Sequence, residues 1–115
     1  MDDRLLIILI LISVGALEII MGIPLLLEKI KPNWLYGFRI PKTLSNEKIW
    51  YECNKYMGRD FIVAGTIVVL VSIALLTFVN IFSLMEIIWI EVIILLVPII
   101  IILIRGFIYL KKFED

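Results

Sequence analysis

Apolar residues in this chain come in three long runs and show no alternation. Leu5 to Leu27 is interrupted only by Ser13, Glu18, two glycines and Pro24, and Phe61 to Val79 and Ile87 to Leu110 follow, separated by the short turn Asn80 to Glu86. A helix rises 1.5 Å per residue, so about 20 apolar residues cross a hydrocarbon core of ~30 Å. Each run is that long, and none has the two-residue period of a membrane barrel strand. Backbone groups in lipid must be satisfied within the segment, which leaves the helix. The pattern predicts an all-α membrane protein, one domain with three transmembrane helices at about 5–27, 61–79 and 87–110.

The polar stretch 28–60 carries the remaining pattern. In KPNWLYGFRIPKT, Pro32, Gly37 and Pro41 punctuate the chain and predict turns. From Thr43 a helix can begin with the threonine hydroxyl as N-cap, running to about residue 58. Its wheel separates Lys48, Glu52, Lys55 and Arg59 from Ile49, Trp50, Cys53, Tyr56 and Met57. Such an amphipathic interfacial helix is expected to lie along the membrane surface. Thr43, Glu47, Trp50, Asn54 and Gly58 share a strip beside its apolar side. Trp34, Tyr36, Trp50, Trp89 and Tyr109 fall near span ends or in the loop, where rings rest at headgroup depth.

Composition agrees with lipid as the solvent: 63% of 115 residues are hydrophobic, more than a soluble domain of this length can bury. Net charge is zero, and placement is what informs. Lys29, Lys31, Arg39, Lys42, Lys48, Lys55 and Arg59 lie between the first two runs, Lys111 and Lys112 follow the third, and the second connection has no basic residue. The positive-inside rule puts the first loop and the C-terminus in the cytoplasm and the N-terminus outside, in a multi-pass protein of the cell membrane. The first run starts behind two aspartates and lacks a cleavage site, so it is expected to stay in the mature protein. A single cysteine, Cys53, excludes an intrachain disulfide, and the lack of histidine removes the usual zinc, haem and iron ligand sets. No metal or cofactor is expected.

Three charges stand inside apolar runs. Glu18 is flanked by Gly15 and Gly22, and burying it in hydrocarbon is costly, so it is expected to face other helices. Glu91, Pro98 and Arg105 recur every seven residues along one face, matched by Gly65 and Ser72 on the second run. The simplest bundle packs these seams together, with Arg105 reaching across a depth gap of roughly 8 Å to Glu18.

The loop sequence PNWLYGFRIPKTLSNEKIWYECNKYMG resembles the signature of the SdpI/YfhL-type membrane proteins, through Pro32, Asn33, Gly37, Arg39, Pro41, Thr43, Trp50, Asn54 and Gly58. That family takes its name from a bacterial immunity protein that protects its producer from a secreted, membrane-active peptide toxin and sequesters a transcriptional repressor at the membrane. The resemblance covers about a quarter of the chain and implies an immunity or signalling factor acting through the 32–58 loop. Its expected partners are the lipid bilayer and a peptide toxin or cytoplasmic regulator, with self-association through the small residues and no nucleic-acid partner. The alternative is a small proton-coupled transporter or exporter using Glu18, although the small multidrug-resistance transporters have four spans. Catalysis is not expected, since Cys53, Glu47, Glu52 and Tyr51 have no histidine to work with.

Overall fold

The structure is a computed structural model that describes residues 2–33 and 35–113. Trp34, whose ring was expected at headgroup depth, lies outside the described residues. Among the described residues four α-helices form: α1 Asp3–Leu26, the single turn α2 Pro41–Leu44, α3 Glu47–Thr77 and α4 Leu84–Leu110. Short 3₁₀ turns occupy Val79–Ile81 and Lys111–Phe113. Three helices among the described residues are long and apolar enough to cross a membrane, in a bundle of 54 × 23 × 19 Å. The protein is an all-helical, multi-pass membrane protein.

Local chemistry sets the helix ends. The Asp2 side chain accepts from Arg4 N and starts α1, and the Arg4 guanidinium beside it holds the Asp2 carboxyl down at about 2. That guanidinium also donates to the carbonyls of Val79 and Phe82, which ties the start of α1 to the turn after α3. α1 closes on Glu28, which adopts φ +58, and Lys29 N donates to Pro24 O at 2.9 Å, the Schellman pattern with glutamate in the usual glycine position. Ser83 and Glu86 exchange side-chain and backbone hydrogen bonds and start α4.

Packing is dominated by α1 against α3, which run antiparallel. Gly15 faces Gly65 and Gly22 faces Gly58, so closely that a Cβ at Gly22 would sit 2.6 Å from Gly58 O and one at Gly65 would sit 2.5 Å from Gly15 O. Such backbone contact is how helices associate where the hydrophobic effect cannot drive them together. Ser72 extends the strip by another seven residues, but turns to α4, where its hydroxyl donates to the Glu91 carboxylate at 3.1 Å. The small-residue strip of α3 therefore serves two neighbours. The three seams do not meet at one line.

The first-loop helix differs from its expected form in two ways. It starts at Glu47, capped by Asn46, whose side chain accepts from Ile49 N; Thr43 lies in α2 and does not cap it. It also continues without a break into the second span. At 31 residues α3 is about 46 Å long, so its first turns extend the span beyond a ~30 Å core in line with it. The apolar side expected to meet lipid is covered by protein: Cys53, Met57 and Ala64 cluster with Phe38, Ile102 and Leu110.

Candidate functional site

The polar loop folds back over the end of the bundle and is locked there. Asn33 shapes the first turn, its Oδ1 accepting from Leu35 N and Tyr36 N and its Nδ2 donating to Lys31 O. Gly37 has φ +111, and a Cβ there would meet Asn54 Oδ1 at 2.7 Å, so only glycine serves. The next residue, Phe38, is the key of the lock. Its side chain is buried and packs edge-on against Phe107 at 5.2 Å.

Both backbone groups of Phe38 are captured by side chains. Its N–H donates to Asn54 Oδ1, and its carbonyl accepts from the Thr43 hydroxyl at 2.7 Å. That same Thr43 oxygen accepts from Ile40 N, while Asn54 Nδ2 donates to Trp50 O. Trp50 is wholly buried and its Nε1 donates to Ile30 O at 2.8 Å. It therefore pins the chain leaving α1, which corrects the expectation of an indole at headgroup depth. Thr43, Trp50 and Asn54 are each no more than 2% exposed. A buried donor or acceptor must be satisfied, and here the backbone of the loop satisfies them.

The sequence-predicted loop residues thus divide. Asn33, Gly37, Thr43, Trp50 and Asn54 build the lock, Gly58 belongs to the α1–α3 seam, and Pro41 opens α2. Pro32 is half-buried, and Arg39 and Leu35 are exposed, Leu35 at 91%, while both also border the cavity beneath the loop. Sequence reasoning missed Phe38 and Leu35. The one signal for Phe38 was an aromatic beside a glycine in a punctuated stretch.

Beneath the loop lies a cavity of about 320 Å³, lined among others by Glu18, Tyr36, Arg39, Asn54 and Phe61. Burial pushes the Tyr36 phenol above its usual range, and its hydroxyl, among the described residues, has no hydrogen-bond partner.

The intramembrane charges are not paired as their depths suggested. Arg105 Nε donates to Asp60 Oδ2 at 2.8 Å, and its guanidinium lies 5.2 Å from the Tyr56 ring. Asp60 stands at the start of the second apolar run, closer to Arg105 than Glu18 is, and takes the contact. Tyr56 in turn stacks on Tyr109 at 4.2 Å. Glu91 is 2% exposed and bonds Ser72. Ser72→Ala should cost about 1–3 kcal/mol by leaving Glu91 without that donor. Glu91→Gln, which can still accept from Ser72, should cost less. Denaturation midpoints in detergent compare the two.

No curated protein and no solved structure matches the chain. Residues 29–108, from the end of α1 through most of α4, match the SdpI/YfhL protein family. The match takes in the whole loop lock together with the second and third spans, so the chain belongs to the SdpI/YfhL protein family.

Proposed function

We propose that this protein is a membrane immunity or signalling factor that protects the cell from a membrane-active peptide toxin, with the locked loop as its recognition element. The observation that carries the reading is the division of the loop into a buried lock and an exposed pair. Asn54 and Thr43 hold Phe38 inside while Trp50 pins Ile30, and Leu35, between these two anchors, and Arg39, beside the second, are left exposed. An apolar side chain beside a guanidinium suits an amphipathic peptide or a regulator with an acidic group.

The loop and the C-terminus face the cytoplasm on this reading. Every lysine and arginine other than Arg4 falls at or near the loop end, which supports that orientation. Glu18 in the cavity favours a second reading, a small proton-coupled transporter.

Expression in a bacterium sensitive to a family-type peptide toxin separates the two. Wild type should protect, and Arg39→Ala at matched membrane levels should lower survival about tenfold, as loss of one contact worth about 1.4 kcal/mol would. Protection that is indifferent to Arg39 and abolished by Glu18→Gln would favour transport.

A further inference from the structure

Two recesses lie one below the other at the loop end of the bundle. The upper is a groove of about 200 Å³ lined by Leu26, Glu52, Lys55, Tyr56, Arg59 and Tyr109. The lower is a trough of about 360 Å³ between α3 and α4, walled by Val63, Ala64, Ile67, Pro98 and Ile101, with Asp60 and Arg105 also in its lining. Val63, Ile67 and Ile101 are exposed, so the trough opens toward lipid. Along α3, Val63 and Ile67 stand about 6 and 12 Å beyond Arg59, inside the apolar run. Arg105 joins the two spaces, because it lines the trough and its guanidinium lies 5.2 Å from the Tyr56 ring in the groove.

The charges of the groove do not balance. Asp60 is taken by Arg105 at 2.8 Å, and that pair is neutral. Among the described residues, neither Arg59 nor Lys55 has a carboxylate at ion-pair distance. Arg59 instead lies over the Tyr56 ring at 5.3 Å, and Lys112 adds a third cation 4.8 Å from the Tyr109 ring. Against these three stands Glu52, which accepts from the Tyr109 hydroxyl at 3.3 Å. The surplus calls for an anion, and a guanidinium held against a ring keeps its N–H edge for phosphate oxygens. Basic recesses between helices at a membrane surface take anionic headgroups in this way.

The trough decides which anion fits. A soluble phosphate would fill the groove and leave the trough beneath it unused. A zwitterionic headgroup brings its own cation, and the surplus charge stays unanswered. An anionic phospholipid answers both recesses, with its phosphate above and an acyl chain below. The hydroxyls of a glycerol headgroup can also donate to Glu52.

We propose that the paired recess is a binding site for an anionic phospholipid of the phosphatidylglycerol type, its phosphate held by Lys55 and Arg59 and one acyl chain lying in the trough between α3 and α4. The site does not depend on the protective role proposed above, and a failed survival assay leaves it standing.

Native mass spectrometry of the whole protein in detergent tests it, by titration with phosphatidylglycerol, phosphatidylethanolamine and phosphatidylcholine of identical acyl chains. Wild type should hold one phosphatidylglycerol about tenfold more tightly than either zwitterionic lipid, the effect of one to two cation contacts. Lys55→Gln/Arg59→Gln should weaken phosphatidylglycerol about thirtyfold, as loss of two such contacts would. Lys31→Gln/Lys48→Gln removes as many charges from exposed positions outside both recesses and should weaken it less than about threefold. Val63→Trp, which fills the trough, should also weaken the lipid, and circular dichroism should show equal helix content in every variant. Glycerol 3-phosphate, which lacks the chains, should not displace the lipid at equal concentration. The proposal falls if the three lipids bind alike, or if Lys55→Gln/Arg59→Gln loses no more than Lys31→Gln/Lys48→Gln. It falls equally if glycerol 3-phosphate displaces the lipid at equal concentration, which would make the occupant a free phosphate ester.

Discussion

Gly22→Ala and Gly65→Ala should each destabilise the protein by about 3 kcal/mol, the upper end of the usual cost of overpacking. The added methyl has nowhere to go. At Gly22 it would meet Gly58 O at 2.6 Å and the Ile62 side chain at 2.9 Å, and at Gly65 it would meet Gly15 O at 2.5 Å. Backbone cannot rotate aside as a side chain can, so α1 and α3 must separate along the seam. Gly106→Ala is the informative contrast, because its Cβ would meet the Met57 sulfur at 2.9 Å. A methionine end is pliable, and a loss below about 1 kcal/mol is expected there. Unfolding midpoints in detergent should order the three variants this way. Equal midpoints would mean that the α1–α3 contact does not limit stability.

Asn54→Leu should release the loop while leaving the spans intact. Leucine keeps the forked outline of asparagine but puts bulkier methyl groups where its oxygen and nitrogen stood, so the hydrogen bonds are lost and the loop is pressed off α3 as well. Phe38 N–H and Trp50 O lose their side-chain partner, and a buried donor left unsatisfied costs about 1–3 kcal/mol. Amide exchange at residues 35–40 should quicken by at least about tenfold, the equivalent of 1.4 kcal/mol, with exchange along 60–75 little changed. Unaltered protection at Phe38 would show that burial of its ring holds the loop without help.

The three spans were legible because hydropathy and length alone decide them, and the ends fell close to those of α1 and α4. The start of α3 was not. Lys48, Glu52, Lys55 and Arg59 interrupt the apolar pattern, and a stripe facing protein has the same periodicity as one facing lipid. Only the position of Phe38 and Phe107 distinguishes them, and that is a long-range fact. Trp50 was misjudged on the same ground, since an aromatic near a span end suits both a headgroup layer and a buried lock. The partner of Arg105 was missed because depth was reckoned from helix ends, whereas Asp60 already stood beside it on α3. The glycine strip was partly legible: Gly15, Gly22 and Gly65 stood out by spacing, and Gly58 appeared first as a loop residue.

The unbroken course of α3 has a mechanical consequence. No proline interrupts Glu47–Thr77, and its flexible points, Gly58 and Gly65, are clamped against α1. The helix is a lever whose fulcrum is the glycine crossing. A load applied to the loop at Trp50 reaches Ser72 as tilt or axial rotation, with no joint between to absorb it.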